Sequence, residues 1–294
     1  MNVAFWGVRG SIPAPGPATV RYGGNTSCVS VETQSGALLV LDCGTGARNL
    51  GNALMSATDH SADSRGDVSA GVNTPVTAAI LLSHTHWDHI QGFPFFAPFY
   101  SPENSFRIYG PADSSDLLEG ILEGQMAPQY FPVQTLKNMG ARMEVAALTA
   151  GQDFEVLGCR VSAILNPHGR LGALAFRIAD GERTVVYASD VGYDPAGPSS
   201  QALALYRGAD LLIHDSTFTP EDRLRYPDRG LSSVDQAVAV AIAAGVRKLA
   251  LFHYDQDYTD TEIDVLVARA RQEITRSKAT LELVAATEGT TLYI

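Results

Sequence analysis

One hexapeptide constrains this chain more than any other segment. Residues 84–89 read HTHWDH and follow the apolar run AILL of residues 79–82 after a single serine. Three imidazoles and a carboxylate at the end of a buried strand cost free energy unless they are hydrogen-bonded, paired or bound to a metal. In an extended segment His84, His86 and Asp88 point the same way, because side chains alternate along a strand. The pattern predicts a metal site, with the alternative of a polar strand end that carries surface histidines.

Composition places the chain among ordinary globular proteins. The 294 residues are 45% hydrophobic and 18% charged, enough to bury a substantial core in one large or two modest domains. The formal net charge is −11, and long polyanions are usually held by basic patches. We therefore expect a small-molecule substrate and no extended nucleic acid as a partner.

Cysteine usage and the N-terminus bear on location. Cys28, Cys43 and Cys159 are widely spaced, which fits neither a disulfide framework nor a CxxC metal pattern. The N-terminus lacks the basic and apolar regions of a signal peptide, and no apolar run is long enough to cross a bilayer. We expect a cytoplasmic protein with no membrane partner.

Strand and helix patterns alternate along the chain, which predicts an α/β fold. Predicted strands cover residues 3–6, 29–33, 38–41, 106–109, 141–146, 152–156, 159–165, 174–178, 184–189, 210–213, 248–252, 281–285 and 291–294. Predicted helices cover residues 47–55, 113–124, 233–244 and 261–277. Residues 58–74, rich in Ser, Asp and Gly, predict an exposed loop that carries His60. No linker divides the pattern, so we predict one domain over residues 1–294 with two sheets between helices.

Further polar residues recur at predicted strand ends. They are His168, Asp190, the pair His214-Asp215, and His253. A site built from the carboxyl ends of several strands requires this repeated placement. Asp42 also ends a strand, where it could accept a proton from a ligand histidine or serve as an ordinary turn aspartate.

Counting ligands predicts two ions. One takes His84, His86 and His168. The other takes Asp88, His89 and His253, and Asp190 bridges the two. Nitrogen and oxygen ligands suit zinc, with manganese and iron as alternatives.

Loops near the site suggest further roles. The Gly- and Pro-rich segment from residue 7 to residue 26 predicts a substrate-side loop in which Arg9, Arg21 and Asn25 meet a negative group, or else a solvated turn. Residues 92–100 are aromatic and broken by prolines, and predict core packing, an apolar wall or a dimer contact. Residues 126–133 predict an irregular, lid-like segment. We expect a homodimer through these apolar segments.

The ordered histidines and aspartates resemble those of the metallo-β-lactamase fold hydrolases over nearly the whole chain. This resemblance implies a four-layer αββα sandwich. The motif differs from the His-x-Glu-x-Asp pattern of the flavodiiron oxidoreductases, which argues for hydrolysis. Asp190 stands where zinc β-lactamases carry cysteine or histidine.

Two segments narrow the resemblance. The sequences GSIP at residues 10–13 and LIHDSTF at residues 212–218 look like the opening loop and the His-Glu-Ala-Thr segment of ribonuclease Z-type phosphodiesterases. Here Asp215 and Ser216 replace Glu and Ala. We find no Gly-, Pro- and Lys-rich arm for gripping tRNA, and the chain looks closer to a bacterial phosphodiesterase-like branch.

These features together predict a dinuclear metal-dependent phosphodiesterase for a small phosphodiester such as a cyclic nucleotide. A metal-bridging hydroxide attacks phosphorus, and Asp88 orients or deprotonates the water. His214, steered by Asp215, donates a proton to the leaving oxygen. One alternative is a thioester, lactone or lactam hydrolase that uses the same metals. Another is a non-catalytic metal-containing sensor or binding protein.

Overall fold

Two mixed sheets form the centre of the computed structural model, which describes residues 1–59, 74–133, 135–194 and 196–294. The first sheet contains β1 (Asn2–Gly7), β2 (Cys28–Glu32), β3 (Leu38–Leu41), β4 (Thr77–Leu81), β5 (Ser105–Pro111), β6 (Arg142–Leu148) and β14 (Thr291–Tyr293). The second sheet contains β7 (Asp153–Val156), β8 (Cys159–Asn166), β9 (Ala173–Asp180), β10 (Arg183–Ala188), β11 (Leu211–Asp215), β12 (Lys248–Phe252) and β13 (Glu282–Ala285).

Each sheet joins an antiparallel part to a parallel part. The spatial orders are β14-β1-β2-β3-β4-β5-β6 and β13-β12-β11-β10-β9-β8-β7. Strands β3 to β6 run parallel in the first sheet, and β10 to β13 run parallel in the second. The carboxyl ends of parallel strands meet at one edge, which is where α/β sheets usually place their sites.

Helices cover the outer faces of the sheets. They are α1 (Gly46–Asp59), α2 (Trp87–Ile90), α3 (Ser115–Gly124), α4 (Leu136–Met139), α5 (Ser200–Tyr206), α6 (Pro220–Arg225), α7 (Val234–Ala243) and α8 (Asp260–Arg276). Helices α1 and α3 pack against the first sheet, and α5, α7 and α8 pack against the second. The layers are therefore helix, sheet, sheet and helix, and the predicted αββα sandwich is confirmed.

The main core lies between the sheets. It joins Val3 and Phe5 of β1 to Phe176 of β9 and Ile213 of β11, all fully buried. This core is continuous across both sheets, and the single domain over residues 1–294 stays a prediction.

A second apolar cluster lies under α1 and α3. Phe93, Phe96 and Phe99 are buried in it, and the Phe99 ring lies 4.8 Å from that of Phe106. Most of the aromatic segment 92–100 is therefore core packing, although Phe95 remains 54% exposed.

Some boundaries differ from those predicted. Helix α1 continues to Asp59, so residues 58 and 59 are helical and not part of a loop as predicted. The rest of that predicted loop, residues 60–73 with His60, lies outside the described residues. Helices α5 and α6 were not predicted from the sequence. In the described ranges no helix is both long and apolar enough to cross a membrane.

Candidate metal centre

The structure brings together all seven residues predicted as metal ligands. One group contains His84, His86, His168 and Asp190, and a second contains Asp88, His89 and His253. Within each group the potential ligand atoms lie within 4.8 Å of one another. The first sheet contributes the hexapeptide 84–89 after β4, and the second contributes the residues that follow β8, β10 and β12.

Asp190 lies between the two groups. Its Oδ2 is 3.5 Å from His168 Nε2 and 3.8 Å from His84 Nε2. Its Oδ1 is 3.0 Å from His253 Nε2 and 3.2 Å from His89 Nε2. One carboxylate oxygen therefore faces each group, as a bridging ligand requires.

Unsatisfied nitrogen atoms show that these residues fit a metal. The Nε2 atoms of His84, His89 and His253 are buried and have no hydrogen-bond partner within the described part of the chain. A buried nitrogen without a partner costs free energy. Because all three nitrogens converge on carboxylate oxygens, a divalent cation would satisfy nitrogens and oxygens together.

The opposite ring nitrogen of each of four histidines has a protein partner. His89 Nδ1 donates to Asp42 Oδ2 at 2.7 Å, and His168 Nδ1 donates to the Gly230 carbonyl at 2.8 Å. His253 Nδ1 lies 3.0 Å from Thr217 Oγ1, and His84 Nδ1 lies 3.0 Å from Ser83 Oγ. Such contacts fix the tautomer and ring orientation of metal-binding histidines.

Asp42 is the centre of a buried hydrogen-bond network. Besides His89, it accepts from Ser83 N at 2.6 Å, from Ser83 Oγ at 2.8 Å and from Tyr187 OH at 2.7 Å. The predicted hydrogen bond to Asp42 from a histidine of the site is present, and the role of that histidine as a metal ligand stays a prediction. The Tyr187 contact also connects β10 of the second sheet to the end of β3 in the first.

Three of these residues have left-handed backbone conformations. The φ angles are +58° at Asp42, +54° at Asp190 and +60° at His253. Such conformations are uncommon for residues other than glycine, and they concentrate at functional sites where surrounding contacts hold them in place. Each follows the end of a strand, so the backbone turns its side chain back toward the site.

Electrostatics favours ionised carboxylates, with neutral imidazoles at His84 and His86 and protonated imidazoles at His89 and His253. Burial lowers the pKa of His84 well below its ordinary value and also lowers that of His86. Burial alone would lower the pKa of His253, but Asp190 and Asp88 raise it to about 9. Burial would likewise raise the pKa of Asp190, but His253 and His89 hold it well below its ordinary value. The site thus balances buried negative charge with protons, which a bound cation would release.

The three predicted substrate-binding residues have protein partners. Arg9 is fully buried, and its guanidinium donates to the carbonyls of Gly23, Asp255 and Tyr258 at 2.8, 3.0 and 2.5 Å. Arg9 therefore holds loops together, and its predicted contact with substrate is wrong because the side chain does not reach a free surface.

Arg21 and Asn25 form contacts within the same loops. Arg21 forms a two-pronged ion pair with Asp264, at 2.7 and 2.6 Å. Asn25 Nδ2 donates to Glu288 Oε2 at 2.8 Å. Their predicted roles toward substrate stay predictions without support from these contacts.

His214 and Asp215 also differ from the predicted arrangement. His214 is fully buried, with Nε2 2.8 Å from Tyr193 OH and Nδ1 2.7 Å from the backbone carbonyl of Asp215. The Asp215 carboxylate instead accepts from the backbone N–H groups of Val191, Thr217 and Ser232. Asp215 therefore contacts His214 through its backbone carbonyl, while its carboxylate holds the loops on either side of the site. The catalytic roles predicted for the two residues stay predictions.

Gly10 is a tightly constrained neighbour of the second group. A Cβ atom added there would lie 2.3 Å from His253 Cε1. We expect Gly10→Ala to displace this imidazole and to lower kcat/KM for the phosphodiester hydrolysis predicted from the sequence by about 10- to 100-fold, since small misplacements of catalytic groups are costly. Parallel measurements of kcat/KM and metal content on purified protein check this expectation.

Gly120→Ala is the matched control. Gly120 belongs to helix α3, and a Cβ there would have no described atom within 4 Å apart from its neighbouring residues and the backbone of its own helix. Gly120→Ala should leave kcat/KM and metal content unchanged. Wild-type activity in Gly10→Ala would contradict the close packing at His253.

The chain also matches a known family. A family profile described as a beta-lactamase superfamily domain matches residues 39–254. The chain belongs to the beta-lactamase superfamily. The matched superfamily region begins in β3 and ends one residue after His253, so it contains both groups of potential ligands. The predicted membership of a metal-dependent hydrolase superfamily is confirmed.

Relatives cover nearly the whole chain. A ribonuclease Z of Methanothermobacter thermautotrophicus is 25% identical over 305 residues, which cover 92% of this chain and 91% of that protein. The metallo-β-lactamase fold protein YhfI of Bacillus subtilis has a TM-score of 0.68 at 19% identity, covering 99% of this chain and 98% of YhfI. The short form of human tRNase Z has a TM-score of 0.64 at 18% identity, covering 100% of this chain and 99% of that protein. The two structural comparisons show a shared fold.

These superfamily relatives correct one expectation. The exclusion of extended nucleic acid is wrong, because relatives along almost the full chain are named ribonuclease Z. Net charge was a poor guide because it averages over the whole surface, whereas a nucleic acid meets a local part of it.

Proposed function

We propose that this superfamily member hydrolyses phosphodiesters with two divalent metal ions. The observation that carries the proposal is the position of the Asp190 carboxylate between the two groups of histidines. Its Oδ2 atom faces the first group, and its Oδ1 atom faces the second. His84, His86 and His168 would hold one ion, and Asp88, His89 and His253 the other. The nitrogen and oxygen donor set favours Zn²⁺, with Mn²⁺ and iron as alternatives.

The bound ions would supply Lewis acidity toward phosphoryl oxygens and lower the pKa of water. The protein's contribution centres on Asp88. Burial alone would raise the pKa of Asp88, but His89 and His253 hold it far below its ordinary value, so this carboxylate is ionised at neutral pH. Its Oδ2 accepts the Ser11 N–H at 2.7 Å, which fixes its position. Asp88 would therefore orient the attacking water by accepting a hydrogen bond from it.

His214 has no part in proton transfer in this proposal. Both of its ring nitrogens have buried partners, and burial lowers its pKa, so the imidazole is neutral near pH 7. It acts with Tyr193 to support the loop that follows Asp190. The leaving oxygen takes its proton from solvent.

A more specific proposal concerns which phosphodiester is the substrate. A small phosphodiester such as a cyclic nucleotide is the first substrate to test, and RNA is tested beside it because of the ribonuclease Z relatives. A cytoplasmic location and a homodimer stay predictions from the sequence.

A substrate panel tests the function. Zinc-loaded protein should hydrolyse bis-p-nitrophenyl phosphate and at least one of two natural classes, cyclic nucleotides and precursor tRNA. Removal of metal with a chelator should abolish turnover, and added Zn²⁺ should restore it. Preferential turnover of thioesters or lactones on the same panel would replace the proposal with a hydrolase of carbon centres. Bound metal without any turnover would indicate a sensor or binding protein.

A further inference from the structure

An apolar cleft opens directly beside the first group of metal ligands. Its volume is about 320 Å³, and His84, His86 and His168 form one of its sides. The rest of this apolar cleft is lined chiefly by aliphatic side chains from α3, β6, β8, β9 and the segment before β9, namely Leu117, Ile121, Leu148, Leu165, Leu171 and Leu174.

The rim of the apolar cleft exposes unusually large apolar side chains. Leu117 is 48% exposed, Leu165 45% and Leu171 83%, whereas Leu148 and Leu174 are buried at its base. Single exposed leucines are common on protein surfaces, but a contiguous apolar patch marks a place where another apolar group binds. Three exposed leucines beside a metal centre therefore indicate a binding surface.

The apolar cleft and the neighbouring metal centre differ in the charges of the side chains that line them. Among the described residues that line it there is no lysine or arginine, and Asp113 is the one carboxylate outside the metal groups. A phosphate placed among these side chains would lack a countercharge and would lie near an anion. The phosphate of a substrate therefore belongs at the metal groups, and the apolar cleft suits an uncharged part of the same molecule.

The volume of the apolar cleft limits the size of the uncharged group that can bind in it. The volume of about 320 Å³ lies near the lower end of small-molecule sites, which span roughly 300–1,000 Å³. Polar atoms of Thr85, Thr149 and Asp113 lie among the lining residues and could orient a heteroatom. An aryl group or a nucleobase combines these properties, because it is flat, mostly apolar and polar at its edge.

We propose that the apolar cleft binds a ring-shaped ester group of the substrate, an aryl group or a nucleobase, while the phosphate lies at the metal groups. This inference rests on the proposed phosphodiesterase function. In this arrangement the specificity-determining residues are Leu117, Leu165 and Leu171. They contact the ring and do not contact the reacting phosphorus.

Binding to metal-loaded protein tests the inference without requiring turnover. Isothermal titration calorimetry should give a Kd for diphenyl phosphate at least about tenfold lower than that for dimethyl phosphate. The double variant Leu117→Gln, Leu171→Ser should weaken diphenyl phosphate binding about tenfold and leave dimethyl phosphate unchanged. Both replaced side chains are exposed, and thermal unfolding checks that the variant keeps wild-type stability.

Leu224→Ser is the matched control, because Leu224 is 82% exposed on α6 and lies outside the apolar cleft. It should bind both esters as wild type does. Equal affinity of wild type for the two esters, or an unchanged diphenyl phosphate affinity in the double variant, would overturn the inference.

Turnover separates this inference from the proposed function. The double variant should raise the KM for bis-p-nitrophenyl phosphate about tenfold with nearly unchanged kcat, because contacts that are equal in ground and transition states affect KM. If wild type hydrolyses this diester and the variant has the same KM, the inference fails while the phosphodiesterase function stands. If wild type hydrolyses no phosphodiester but binds diphenyl phosphate through these leucines, the proposed function fails and the ring-binding site stands.

Discussion

Asp190→Asn is expected to lower kcat/KM for bis-p-nitrophenyl phosphate by at least about a thousandfold. The wild-type carboxylate presents one oxygen to each group of histidines. An amide has a single acceptor oxygen and no charge, so it cannot serve both groups. Asparagine has nearly the same shape and tolerates the left-handed φ of +54° at this position. The loss should therefore reflect the metal centre rather than misfolding.

Two measurements check this variant. Steady-state kinetics gives the change in kcat/KM, and elemental analysis should show less bound metal per chain than in wild type. Asp194→Asn is the control, since Asp194 is an exposed aspartate four residues further along the same loop. It should keep wild-type turnover and metal content, and wild-type turnover in Asp190→Asn would remove the basis of the two-metal proposal.

Asp42→Ala is expected to destabilise the fold by about 3–5 kcal/mol, the cost of removing one partner from a buried charged network. Four donor groups, from Ser83, His89 and Tyr187, lose their acceptor at once. His89 also loses the contact that orients its ring, so metal affinity should fall about 10- to 100-fold. Chemical denaturation of the metal-free protein and competition with a chromophoric chelator measure the two effects separately.

Tyr187→Phe provides a graded comparison. It removes one donor from Asp42 and leaves the His89 contact in place. The expected loss of stability is about 1 kcal/mol, with metal affinity near that of wild type. If Asp42→Ala bound metal as tightly as Tyr187→Phe, then Asp42 would not orient His89.

The metal centre could be predicted from sequence because its chemistry depends on residue type and on position at strand ends. His84, His168, Asp190 and His253 each follow a strand in the structure, and those strands could be predicted from their apolar patterns. Strands that run in the same direction then bring their carboxyl ends to one edge. Strand β8 also ends at that edge, although it pairs antiparallel with both of its neighbours.

The contacts of individual polar side chains could not be predicted in the same way. The charge of Arg9 suits an anionic substrate, yet its guanidinium donates to carbonyl groups up to 249 residues away in sequence. Thr217 and Gly230 support His253 and His168 across 36 and 62 residues. Such contacts depend on the final packing of loops, and local sequence carries little information about them.

Short helices were missed for a related reason. Helix α5 has seven residues and begins after Ser199, whose side chain accepts from Ala202 N. A segment of this length contains too few turns to show a helical period, and it follows a Gly- and Pro-containing stretch that predicts a loop. Its position depends on packing against β8 and β9.

The potential metal ligands come from both sheets, and this affects how the two sheets can separate. Each group draws donors from both sheets, His84 and His86 with His168 in one case, and Asp88 and His89 with His253 in the other. An ion held by either group is therefore a reversible cross-link between the two halves of the sandwich, and Asp190 ties the two cross-links together. The halves cannot separate while both ions are held, so unfolding and metal release form one coupled equilibrium.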